Sequence, residues 1–183
     1  MITYSLIGFA IILIAFGIIY FNVFIRYKNK VKNAESDIDI QLKRRFDLLP
    51  NLVEIVKGYA KNERELFENI ATRRTQFANA SNIEGKAIAG NLITGLLKDL
   101  FVVVENYPDL LADKSFIGLQ ESLIEIEDSI QMSRRYYNAV VRDFNTSVES
   151  FPGLIVAKLF GFKTQLFFEI AFLEKEVIQV KLS

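Results

Sequence analysis

Any chemistry in this chain has to come from carboxylates and guanidinium groups, because it contains no histidine, cysteine or tryptophan. That absence excludes thiolate and imidazole metal sites, Ser-His and Cys-His catalysis, and a histidine-based pH switch. Helical bundles can build metal sites from inward-facing Glu, but the di-iron form needs a Glu-x-x-His pair from each of two helices, and the histidines are missing. Glu121, Glu125, Glu127 and Asp128 flank apolar seam positions and read as solvated residues. Glu54 and Glu105 lie amid apolar residues, so they are expected to pair with Arg44, Arg45, Arg134 or Arg135 across a bundle, since a buried charge needs a partner. Arg73-Arg74 and Arg134-Arg135 have the charge to hold phosphate but lack a Gly-rich loop to cradle it. No nucleophile, base and orienting group can be assembled into a set, so no catalysis, cofactor or metal is expected.

The element that must place everything else is the N-terminal stretch MITYSLIGFAIILIAFGIIYFNVFI, which carries no charged side chain from Met1 to Ile25. About 20 mostly apolar residues suffice to cross about 30 Å of hydrocarbon. A secretory signal would show a basic start, a shorter apolar core and a small-residue cleavage site, and none is present. A core helix of a soluble domain would be apolar on one face, whereas here every face is apolar. Arg26, Lys28, Lys30 and Lys32 follow at once as a membrane-proximal basic cluster. Lys- and Arg-rich flanks stay in the cytoplasm, which predicts a single-pass protein of the bacterial inner membrane with its N-terminus outside and its bulk inside. The same cluster can lean on anionic headgroups, at about 1 kcal/mol per side chain near the surface.

The remainder is large enough for one cytoplasmic domain with its own core. Basic and acidic residues balance at 22 each, so there is no net field of the kind that draws nucleic acid, and no nucleic-acid partner is expected. Apolar residues recur at Val31, Ala34, Ile38, Leu42, Phe46, Leu49, Val53, Val56, Ala60, Phe67, Ile70 and Phe77 in steps of three and four, which is a helix face. Pro50 predicts a break or kink at Leu48–Pro50, with Asp47 as a cap for the helix that follows. Asn79–Lys86 predicts a reversal, and Ala87–Asn106 a helix with Ile88, Leu92, Leu96, Leu100 and Val103 on its packed side, ended by Tyr107-Pro108.

The strongest periodicity comes next. Phe116, Leu123, Ile130, Tyr137, Phe144 and Phe151 fall every seven residues, with Leu119, Ile126, Ser133, Val140 and Ser147 between them. One long helix is predicted, capped by Asp113 or Ser115 and ended by Phe151-Pro152-Gly153. Ser133 and Ser147 fit either close approach of a partner helix or simple tolerance. From Leu154 to Ser183 no clean period emerges, and Leu166–Leu173 suits a strand or a helix equally. Phe160, Phe162, Phe167, Phe168 and Phe172 make this tail a candidate oligomer or membrane contact, with packing on the bundle as the plain alternative.

IDIQLKRRFDLLPNLVEIVKGYAKNE from Ile38 to Glu63 closely resembles the signature of the LemA family, and three further segments match in the same order: Glu105 to Asn145, SFPGLIVAKLFGF from Ser150 to Phe162, and FFE from Phe167 to Glu169. The resemblance implies an all-α protein, an N-terminal transmembrane helix followed by an antiparallel helical bundle, and it implies no reaction. Some relatives are linked to organising membranes or to membrane-protein quality control. Carried over residue by residue, it implies a polar network among Gln41, Arg44, Arg45, Asp47, Asn51, Glu54, Glu127, Arg134, Tyr137, Asn138 and Asn145 that would fix helix register, with Glu105 a further candidate from its apolar surroundings. Asn62 and Phe144 depart from the pattern, where histidine and tyrosine are common.

These readings divide the chain into a transmembrane anchor at 1–25, a cytoplasmic bundle at 26–153, and an apolar tail at 154–183. The tail would pack on the bundle, the membrane surface or a neighbouring subunit. The expected function is a membrane-anchored scaffold that self-associates at the cytoplasmic face and organises or shapes the lipid bilayer. An adaptor or substrate-presenting partner of another membrane protein, such as a protease, is the alternative.

Overall fold

The computed structural model describes residues 2–80 and 83–168. It is all-α, with no strand among the described residues. Within the described residues six helices follow one another: α1 (Ile2–Tyr59), α2 (Arg64–Ala78), α3 (Ile83–Val104), the single turn α4 (Pro108–Leu111), α5 (Lys114–Glu149) and α6 (Gly153–Phe160). The chain sorts into two units, one from residues 2–37 and 133–167, the other from residues 38–132 with Phe168, so α1 and α5 each contribute to both.

In the second unit the core side of α1 follows its predicted spacing at Ile38, Leu42, Phe46, Leu49, Val56 and Ala60, all buried, but Leu52 is buried where Val53 is predicted, and Val53 is half-buried. Of the break or kink expected at Pro50, the break does not occur. The proline sits on the exposed side of a single continuous helix, where a carbonyl released by the missing N–H can bond to water, while Leu49 and Leu52 on either side are fully buried. Asp47 consequently caps nothing and accepts a hydrogen bond from Lys43 Nζ at 2.6 Å. The real interruption lies at residues 60–63, with Glu63 at the N-cap of α2. Its signal is the gap from Ala60 to Phe67, where Glu63 and Arg64 occupy the turn that should have been apolar.

α2 packs on α3 and stacks Phe77 on Phe46 of α1, with ring centroids 3.9 Å apart. The predicted 79–86 reversal is shorter, since α3 begins at Ile83; Ser81 and Asn82 lie outside the described residues. The predicted face of α3 is off by about one position: Ala89, Ile93, Leu97, Leu100 and Val104 are buried, whereas Ile88 is exposed. Periodicity could not set the phase of a helix that is apolar on more than one side. α5 runs antiparallel to α1 in this unit, because Tyr59 meets Asp113 and Arg45 meets Glu127, fourteen residues back on one helix and fourteen on along the other. Asp113 is the N-cap predicted for α5, accepting from Ser115 N at 2.8 Å and Phe116 N at 3.1 Å. Those backbone bonds, and the Tyr59 hydroxyl after them, hold its carboxyl below the usual range.

In the first unit the heptad continues with Tyr137 and Phe144 buried, alongside Val140, Val141 and Val148. Phe151, the next member, is exposed, because the helix ends at Glu149 and the chain turns away before reaching it. α6 then lies against α1: Phe24 is fully buried, with Phe144 and Phe162 ring centroids at 6.5 and 5.0 Å. Close approach does occur at Ser147, where Gly153 sits so near the Ser147 carbonyl and the Phe24 ring that a Cβ has no room. Gly153→Ala is therefore expected to destabilise the protein by about 1–3 kcal/mol, the usual cost of overpacking; thermal unfolding in detergent followed by circular dichroism reads it, and an unchanged midpoint would contradict the packing.

Candidate functional site

The polar network expected from the sequence is much smaller in the structure, and its centre is Arg45. α1 turns this residue inward between Leu42 and Leu49, and its side chain is 1% exposed. Nη1 donates to Glu127 Oε2 of α5 at 2.6 Å and to Thr94 Oγ1 of α3 at 2.9 Å, and Nη2 donates to the Gly90 carbonyl at 2.6 Å. One guanidinium thus joins three helices of the unit. Glu127 is 33% exposed on its side chain, and its other oxygen accepts from Gln131 Nε2 at 3.1 Å. Burial pulls the Arg45 guanidinium below its ordinary value, while the charge and hydrogen bond of Glu127 pull it back up. Arginine stays cationic throughout, so the pair cannot work as acid and base. With the guanidinium enclosed and only the Glu127 carboxylate reaching the edge, the pair holds helices together.

The other expected members fall elsewhere. Gln41 accepts from Arg44 Nη1 at 3.0 Å on the outside of α1, and Asn51, Glu54 and Glu105 are exposed. Glu54 lies off the Leu52–Val56 core side, and Glu105 is past the end of α3, so neither needs the buried arginine partner the sequence suggested. Arg134 is buried in the first unit and Arg135 exposed, since adjacent residues diverge by about 100° around a helix. The pair therefore offers no shared phosphate site. Tyr137 is buried and donates to the Leu166 carbonyl at 2.9 Å; burial first, and the Glu35 charge second, push its hydroxyl up to about 12. Asn138 is half-buried in the same unit. Among the described residues no three carboxylates converge as a cation site would require.

Two polar arrangements stand apart from the Arg45 node, the second at the Asn145 that the family resemblance singles out. Lys86 of α3 meets Asp39 of α1 at 2.5 Å on the rim of a hollow of about 520 Å³ floored by Phe46 and Phe77. Asn145 clamps the segment after α6, donating to the Gln165 carbonyl at 2.9 Å and accepting from Gln165 N at 2.8 Å. Neither leaves a periodic trace, because each joins residues far apart in sequence.

The apolar candidates divide as well. Phe162 is half-buried against Phe21 and Phe24, Phe168 is buried, and Phe160 and Phe167 are exposed; Phe172 lies outside the described residues. Arg26, Lys28, Lys30 and Lys32 are exposed, with Lys30 over the Tyr27 ring at 5.5 Å. Among the described residues two stretches are long and apolar enough to cross a membrane, the N-terminal part of α1 and residues 85–104 of α3. The first exposes its side chains all round, while the second carries a buried core face.

Fold and surface together define a membrane-associated, all-helical protein with a long apolar N-terminal helix. The LemA family model matches residues 34–182, and the chain belongs to the LemA family. Protein LemA of Metamycoplasma hominis is 28% identical over 89% of this chain and 78% of its own length. Magnetosome protein MamQ 2 of Paramagnetospirillum magneticum is 26% identical, and magnetosome protein MamQ of Magnetospirillum gryphiswaldense 25%, each over 81% of this chain. The chain spans 64% of the length of these two MamQ relatives.

The Arg45 node gives a stability prediction. Glu127→Ala leaves a buried cation with neutral acceptors only and should cost about 3–5 kcal/mol, less whatever water relieves at the exposed edge. Arg45→Met with Glu127→Leu removes both charges and should recover most of the loss. Urea unfolding of the detergent-solubilised chain compares them; a double variant no more stable than Glu127→Ala would contradict the assignment.

Proposed function

We propose that this protein is a non-catalytic, membrane-anchored helical scaffold. In this reading it crosses the inner membrane once with its N-terminus outside, self-associates at the cytoplasmic face, and thereby organises or shapes the bilayer. The observation that carries the reading is α1 itself: one helix from Ile2 to Tyr59, apolar and exposed on all sides at its start and one-sided where it joins a bundle. A helix that belongs to both environments passes any association of bundles directly to the membrane spans. The basic cluster after Ile25 supports the orientation. The core face of α3 supports reading that helix as part of the bundle. Membership of a family with relatives named for a cellular body, the magnetosome, fits an architectural role.

Self-association is tested on the full chain, of mass 21.0 kDa, by light scattering in detergent and by crosslinking in membranes. The reading expects a defined multiple of the chain mass and crosslinks between copies. A single-chain mass in both detergent and lipid particles would overturn self-association. A reproducible crosslink only to a different membrane protein would replace it with the adaptor role.

A further inference from the structure

α6 is seated on the first unit by Gly153, Val156 and Ala157, all buried, and by Phe160, whose ring centroid lies 4.9 Å from that of Phe21. Among the described residues nothing covers its opposite side. Ile155 and Leu159 are four residues apart in α6, which stacks them in one stripe at helical spacing, and they are 59% and 76% exposed. Isolated exposed apolar residues are ordinary, but two large ones aligned on one helix face, with the half-exposed Phe160 beside them, mark a contact surface.

The position of the stripe identifies what covers it. Leu159 and Phe160 line an apolar hollow of about 480 Å³ with Leu13, Gly17 and Phe21 of α1. Gly17 and Phe21 precede Arg26 by nine and five residues, about 14 and 8 Å along the helix axis at 1.5 Å per residue. Half of a hydrocarbon layer is about 15 Å thick, so the end of α6 lies alongside the portion of α1 that would be within acyl chains. The apolar surface of α6 therefore continues the apolar surface of α1. Lys158 is exposed on the same helix and Lys163 follows it, each with a stem long enough to return its ammonium group to the headgroups. Gly161, at φ 72°, then reverses the chain, with Phe162 N bonded to the Ala157 carbonyl at 2.9 Å, and the Asn145 clamp holds the returning segment. The turn is fixed at both ends, so α6 is presented rather than loose.

We propose that Ile155 and Leu159 insert into the acyl-chain layer beside α1, which makes α6 a second, shallow membrane contact and lipid the partner of this face. The inference rests on α1 crossing the bilayer and is independent of whether the protein self-associates. The chain has no cysteine, so single-cysteine variants of the full chain can be labelled cleanly with an environment-sensitive fluorophore. Leu159→Cys, Ile12→Cys in the span and Lys61→Cys in the exposed turn after α1 are compared in phosphatidylcholine–phosphatidylglycerol vesicles with and without acyl-brominated lipid. The expected result is blue-shifted emission at position 159, quenched by brominated lipid to at least half the extent seen at position 12, with neither effect at position 61. If position 12 is quenched while position 159 behaves like position 61, the proposal is overturned and the crossing stands. Blue-shifted but unquenched emission at position 159 would place protein, such as a second copy, on the stripe and overturn it too. Absence of quenching at position 12 would overturn the crossing and the inference with it.

Discussion

A helix apolar on every face cannot be left in water, and a helix with one polar face cannot be left in hydrocarbon. α1 obeys both constraints in turn. Its exposed residues from Ile2 to Ile19 include Leu6, Phe9, Ile12 and Leu13, which point to different sides, whereas beyond Arg26 burial keeps to one side, in a row that begins Val31, Ala34, Ile38, Leu42 and runs on through Leu49 to Val56. Each large side chain in that row gains about 1.5–3 kcal/mol by leaving water, and the matching faces of the other helices exist to supply the cover. The bundle follows from where along α1 the apolar residues contract to one side.

Within the second unit apolar burial is non-directional, and the Arg45 node adds direction. Its three contacts reach a carboxylate, a hydroxyl and a carbonyl on two other helices, so sliding either helix by one residue would leave a buried charge without its acceptors. A buried ion pair contributes little net stability over a well-packed apolar replacement, but it penalises the wrong register heavily. The first unit uses neutral devices for the same purpose. Gly153 admits only one approach of α6, and Asn145 matches both backbone groups of Gln165.

Much of this was legible in the residues because helix packing writes a period into sequence. The α1 and α5 seams, the Asp113 cap and the stop at Pro108 were all read from spacing and local chemistry. The misreadings have physical causes. Pro50 looked like a break because its cost of about 3 kcal/mol was weighed without the buried leucines on either side of it. The true interruption after Ala60 carries no proline or sharp turn signal, only a missing apolar residue. Glu54 and Glu105 were surrounded by apolar neighbours in sequence, yet a helix turns by about 100° per residue and those neighbours face elsewhere. Arg45 was named among several equivalent charges; what sets it apart is contact with Gly90 and Thr94, about half a hundred residues away, which no local pattern records.

The central claim is that α1 changes solvent near Arg26 while remaining one helix. Spin labels placed singly along α1 in the full-length protein in bilayers, read by their relative exposure to oxygen and to a water-soluble nickel complex, test it directly. The account predicts high oxygen and low nickel exposure on every face from residue 2 to about residue 20, then a 3.6-residue oscillation beyond Arg26 with nickel reaching the outer positions. A 3.6-residue oscillation with nickel exposure throughout residues 2–20 would contradict it.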